Sequence, residues 1–94
     1  MLMRDSIEKP IISRALIRAN THYYEYQDAV KLVELCRNEG IPVLGIDSFI
    51  VTETRTQPFM EHSIDLSYCG ETHEKAIAFL DQKKDLGFVF EVVY

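Results

Sequence analysis

The chain has 94 residues, 47% of them apolar, a net charge of −5 and two cysteines. That much apolar content excludes disorder, and the length makes one domain, too small for a core plus a deep, elaborate active site. No apolar run nears the ~18 to 20 residues of a membrane-spanning helix, and the start, Met-Leu-Met-Arg-Asp-Ser, lacks the apolar centre of a secretory signal. The expected setting is therefore the cytoplasm, with Cys36 and Cys69 reduced rather than paired.

Residues 1 to 6 read as a frayed terminus and residues 7 to 94 as a single domain. Ile7, Ile11, Ile12, Ala15 and Leu16 recur at helical spacing and predict a short helix over residues 9 to 19, with Pro10 in its first turn. Asn20-Thr21-His22 breaks it. Tyr23, Tyr24 and Tyr26 follow in the connection, either as a lid over the core or as an exposed recognition patch, since tyrosine is enriched at interfaces. Ala29, Val30, Leu32, Val33 and Cys36 make the stripe of a helix from about residue 25 to 38, which Gly40 closes with a left-handed cap.

The apolar run from Gly40 to Thr52 predicts a well-buried strand at the centre of the sheet. Pro42 and Gly45 suggest a sheet margin or a bulge just ahead of Asp47, whose carboxylate is either a bulge device or a functional group. Thr54 to Pro58 reads as a hairpin connection. A second strand over about residues 59 to 67 alternates Met60, His62, Ile64 and Leu66 with Glu61, Ser63, Asp65 and Ser67, the pattern of an antiparallel strand with one solvated side. Register decides the facing of Asp47: even pairing sums set it with Glu61 and Asp65, odd sums with His62 and Ile64.

Thr72 is the candidate cap of a third helix, carrying Ala76, Ile77, Phe79 and Leu80 to about residue 85. Gly87 ends it. Phe88 to Tyr94, apolar apart from Glu91, predicts a last strand internal to the sheet. Helix, glycine and strand thus occur twice at an offset of 47 residues, from Ala29-Val30 to Gly40 and from Ala76-Ile77 to Gly87, which reads as the common grammar of a helix-on-sheet layer, a true duplication being the alternative. The whole reads as an α+β fold, a small mainly antiparallel sheet of about three to four strands with helices on one face. The expected order is helix, helix, strand, strand, helix, strand.

Chemistry is sparse. There is no phosphate loop, Cys-x-x-Cys, His-Glu-x-x-His or Gly-x-Ser-x-Gly. His62, Cys69 and His73 lack specific metal-ligand spacing and a fourth ligand. A Cys69, His62 and Asp65 nucleophile arrangement fails because strand alternation puts His62 and Asp65 on opposite faces. Glu61 and Asp65, four apart on a strand, stand roughly 13 Å apart at their backbone, wider than the ~5 to 10 Å of hydrolytic carboxylate pairs. No catalytic residue, metal or cofactor is assigned, and a small acidic domain of this kind is expected to work by binding.

The charge is uneven. Between Glu39 and Glu74 lie seven acids (Glu39, Asp47, Glu53, Glu61, Asp65, Glu71, Glu74) and one base, Arg55, whereas the remaining residues carry eight acids and nine bases. A surface of that sign excludes nucleic acid as a partner and suits a basic protein.

Asp28-Ala-Val-Lys-Leu-Val-Glu-Leu-Cys36, Glu39-Gly-Ile-Pro-Val-Leu-Gly-Ile-Asp-Ser-Phe49, Met60-Glu-His-Ser-Ile-Asp65, the Ala76-led helix and Gly87-Phe-Val-Phe-Glu-Val-Val-Tyr94 together resemble the bacterial polymorphic-toxin immunity proteins of family forty, over roughly residues 14 to 94. Of that family's central Gly-Gly-Asp-Val pattern the chain carries Gly45 and Asp47, with Ile46 and Ser48 at the other two places and no tryptophan anywhere. The resemblance implies a single α+β domain, made beside a toxin, that binds the toxin domain and blocks it without cofactor or turnover. Taken with the charge, it makes Asp47, Glu53, Glu61 and Asp65 the acids that steer and pair with a basic partner such as a nuclease, and Tyr23, Tyr24 or Tyr26 its anchors. The alternatives are a self-associating adaptor that pairs through a sheet edge and a small hydrolase using His62 and nearby acids.

Overall fold

The computed structural model describes residues 4–68 and 70–94. It is α+β, with two antiparallel sheets, and no helix among the described residues is long and apolar enough to cross a membrane.

The first helix does not lie over residues 9 to 19. α1 is Arg4–Glu8, and a single 3-10 turn, Ile12–Arg14, follows it. Pro10 therefore stands past the helix end. Ile7 and Ile11 are buried, as helical spacing required, but Leu16 and Ile17 belong to a strand, β1 (Leu16–Arg18), which pairs with β2 (Thr21–Tyr23). Ala19 and Asn20 join them with φ of +49° and +65°, the left-handed pair that a two-residue hairpin turn requires. The element order is thus helix, strand, strand, helix, strand, strand, helix, strand.

α2 (Tyr26–Asn38) buries Ala29, Leu32, Val33 and Cys36. It stops where the sequence said it would. Gly40 takes φ +68°, the Ile41 N–H donates to the Cys36 carbonyl at 2.9 Å and the Gly40 N–H to the Arg37 carbonyl at 3.0 Å, a complete Schellman cap. α3 (Thr72–Lys83) buries Ala76, Phe79 and Leu80 against the same core, and Gly87, φ +79°, turns the chain into the last strand. Thr72 is not its cap. The cap position is Glu71, itself at φ +55°, while the Thr72 hydroxyl accepts the buried Val43 N–H at 3.1 Å and ties α3 to the approach to the sheet.

β3 (Gly45–Val51) is the central strand, flanked by β4 (Thr56–Asp65) and β5 (Val89–Val93), all antiparallel. Ile46 opposite Val92 and Ser48 opposite Phe90 form the face buried under the helices. Gly45, Asp47, Phe49, Val89, Glu91 and Val93 lie on the other face, which no helix covers among the described residues. β3 is therefore buried on one side rather than on both. β5 borders β3 only, so it is not internal to its own sheet; its second side exchanges two backbone hydrogen bonds with Tyr24, through Phe90, at 2.7 and 2.8 Å. That bridge joins the β1–β2 hairpin to the main sheet.

The ladder between β3 and β4 is broken at Asp47. Gly45 pairs with Asp65 and Ile46 with Ile64, but Ser48 pairs with Phe59, so residues 60 to 63 of β4 stand against Asp47 alone. The irregularity expected near Gly45 is real and lies on the partner strand. Ser48 holds it: its hydroxyl donates to the His62 carbonyl, its N–H reaches Ser63 Oγ at 3.4 Å, and the Ser63 hydroxyl donates back to the Phe59 carbonyl at 3.2 Å. This satisfies Ser48 in an otherwise apolar core. Gly45 is required where it is because a Cβ there would meet the Ile64 carbonyl oxygen at 2.8 Å.

Candidate functional site

The bulge sets the facing of Asp47. Pairing sums are even at Gly45 and Ile46 and become odd from Ser48 onward, so Asp47 shares a face with Asp65 and turns away from Ile64. Across the other ladder its direct partner is Glu91. Asp47 is half-buried, and among the described residues neither a hydrogen bond nor an ion pair engages its carboxylate. Around it the open face is largely apolar: Phe49 and Val89 are half-buried and Val93 is 37% exposed.

Of the other acids, Asp65 stands exposed at the end of the same face. It accepts the Ser67 N–H at 2.9 Å and the Ser67 hydroxyl at 2.6 Å, and those bonds, the hydroxyl first, hold its carboxyl below the ordinary carboxylate range. Glu61 is exposed on the bulge, and Glu53 lies in the tight turn closed by the Thr52 N–H to the Arg55 carbonyl at 2.8 Å. That turn is at the far end of the β3–β4 ladder from Asp65, so the four acids form a band along this hairpin rather than one spot.

The three tyrosines separate. Tyr23 packs its ring edge-on against Phe49, with centroids 4.8 Å apart, and so supports the open face, but at 7% exposure it offers a partner little surface. Tyr24 is a core residue at 1% exposure rather than a lid or a patch. Tyr26 lies on the helix side, where its hydroxyl donates to Asp81 of α3, and that bond raises its pKa. Neither Tyr24 nor Tyr26 belongs to the acidic face.

Two acids escaped the sequence reading. Glu91 interrupts an apolar strand as Asp47 does, and that shared pattern was the available signal. Glu8 has no local signal at all. It is fully buried; its Oε1 accepts the Tyr24 hydroxyl at 2.5 Å and His22 Nδ1–H at 2.8 Å, and its Oε2 accepts the Tyr94 hydroxyl at 2.5 Å. Burial and then the Glu8 charge push the nearby Cys36 thiol up to about 11. These donors make Glu8 a satisfied structural hub.

His62 and His73 make separate contacts. His73 Nε2–H donates to the Ile41 carbonyl at 2.6 Å, whereas His62 packs against Phe88 at 5.1 Å between ring centroids with its Nδ1 buried and unpartnered. Cys69 lies outside the described residues, and among those described no three His, Cys, Asp or Glu side chains gather at metal-binding distance. An open cleft of about 610 Å³ near the start of α2 is lined by Tyr26, Phe88 and Val89 with Glu25, Asp85 and Lys84, a mixture of signs that selects no ligand charge. Comparison with protein-family models, with curated proteins and with solved structures finds no match to this chain.

Proposed function

We propose that this protein is a non-catalytic binding protein that occludes a basic protein domain, acting as the immunity partner of a bacterial toxin. The observation that carries the binding part is the half-buried Asp47 on the uncovered face of β3, whose carboxylate no hydrogen bond or ion pair engages among the described residues. Asp65, Glu61 and Glu53 extend the field along the hairpin and steer the encounter, an effect that salt screens.

The immunity part rests on the likeness of five segments, in order, to immunity proteins of family forty. Occlusion needs no cofactor and no reacting group of this chain. The adaptor reading gains less from the geometry. The β4 edge is blunted by Pro58, which has no N–H to offer, and by the bulge at residues 60 to 63, while β1 is only three residues long.

The test is the identity of the adjoining reading frame, followed by expression of its C-terminal domain with and without this protein. A domain that kills cells alone and is neutralised by a stable complex is the expected result. A neighbour without toxicity, or two proteins that never associate, would end the immunity reading. Within a complex, reversing Glu61 and Asp65 together should slow association at least about tenfold at low salt; unchanged binding would remove the outer acids from the mechanism.

A further inference from the structure

β1 presents apolar side chains to solvent on both of its faces. Leu16, opposite Tyr23, is 39% exposed, and its neighbour Ile17, opposite His22, is 52% exposed. Neither packs against the core, and β1 has no strand on its outer side among the described residues. A sheet margin left to solvent is ordinarily protected by charge, so two bare aliphatic side chains there mark a surface that something covers. We infer that the β1–β2 hairpin is a self-recognition surface, docking head to tail on the β4 bulge of a second copy of this chain.

The charges select that occupant. From Lys9 to Tyr24 the chain has three bases, Lys9, Arg14 and Arg18, and no acid. Arg14 is taken by Asp28 at 3.4 Å, whereas no ion pair engages Arg18 among the described residues. The strands run β4, β3, β5 and then, through the Tyr24 bridge, β2 and β1, so the basic hairpin and the acidic bulge stand at opposite ends of one layer. At the bulge end Met60 is 74% exposed and lies between no acids but its neighbour Glu61, with Asp65 farther along the same strand. Setting one copy's hairpin on the next copy's bulge covers Leu16 and Ile17 with Met60 and gives Arg18 an acid. Symmetric contacts do worse: hairpin on hairpin opposes the arginines, and bulge on bulge opposes Glu61 and Asp65. Pro58 and the bulge deny β4 a regular row of donors, so the contact is made by side chains rather than by a continued ladder. Its area is far below the ~800 Å² per partner of a stable interface, and the association is correspondingly weak. It stands apart from the toxin reading, and either can fail alone.

The test is sedimentation equilibrium over a concentration series reaching roughly 1 mM, in about 0.1 M salt, where the ~10 Å Debye length screens the net charge between copies but not pairs in contact. The expected result is a weight-average mass that rises with concentration past that of a dimer, because a head-to-tail contact does not stop at two copies unless the ring closes. Arg18→Glu and Glu61→Lys should each weaken association about fivefold or more, and an equimolar mixture of the two should regain it, since every contact then finds an opposite charge. Ile17→Ser should weaken it about threefold, while Leu86→Ser, an equally exposed residue beyond α3, should not. Urea midpoints close to that of the parent protein in all four variants would confirm that the fold is not what changed. A monomer mass at every concentration would overturn the proposal, as would a Glu61→Lys protein that associates like its parent, a mixture that fails to recover, or equal losses from Leu86→Ser and Ile17→Ser.

Discussion

A carboxylate out of reach of solvent is tolerated only when its lone pairs are filled, and Glu8 has Tyr24 and His22 on one oxygen and Tyr94 on the other. Glu8→Gln keeps the size but turns one oxygen into a donor facing donors, and should lose about 2 to 4 kcal/mol of stability in urea unfolding; Tyr94→Phe, which deletes one donor, should lose about 1 to 2 kcal/mol. A Glu8→Gln protein as stable as its parent would show that the hub contributes nothing. The neighbouring Cys36 gives a pH prediction. Its thiol is held neutral in the folded state up to about 11 but ionises nearer 9 once unfolded, so its contribution is fully present below pH 9 and fades as pH rises towards 11. The loss should reach about 2 to 3 kcal/mol relative to Cys36→Ala, visible as converging urea midpoints across that range. None of this was legible in sequence, because the donors to Glu8 come from 14, 16 and 86 residues away.

At the scale of elements, α2, α3 and the three main strands could be read because each carries its own periodicity and its own stop. Gly40 caps α2 where its periodicity ended, whereas α3 stops at Lys83 and Gly87 turns the chain into β5 four residues later. The β1–β2 hairpin was missed because Ile11, Ile12, Ala15 and Leu16 fit a helical stripe, and because its turn is Ala19-Asn20 rather than the Asn-Gly pair that announces such turns. The bulge was legible only as an oddity around Gly45 and Asp47; that its extra residues lie on β4 depends on pairing, which a single strand does not encode. Gly45→Ala tests this packing. With the Ile64 carbonyl 2.8 Å from the new Cβ, backbone must move, and a loss of about 1 to 3 kcal/mol is expected in thermal or urea unfolding. A neutral Gly45→Ala would mean that the β3–β4 approach relaxes freely.

For the molecule as a whole, the repeated helix, glycine and strand describe how the layers are assembled: α2 leads into β3 and α3 into β5, the strands lie side by side in opposite directions, and both helices pack on the same face. The acidic middle segment becomes the β3–β4 hairpin and its flanks, with Asp47, Glu53, Glu61 and Asp65 strung along the hairpin itself. Which of those acids are gathered on the open face was not visible. Face is a matter of parity, and parity here switches at the bulge. The tyrosines illustrate the same limit, since Tyr23 and Tyr24 are adjacent in sequence and end on opposite sides of the sheet.

The contact from Glu8 to Tyr94 spans nearly the whole chain, and β3 must wait for β5 to complete its second ladder. Loop-closure entropy makes such distant pairings late steps, after α2, α3 and the local β3–β4 hairpin have formed. The order of assembly is therefore the reverse of the order of dependence: the hub that ties α1 to the hairpin and to β5 closes last, and until it does Ile7 and Ile11 are without their places in the core. By the same argument the acidic β3–β4 hairpin is expected to take shape while the first helix is still free.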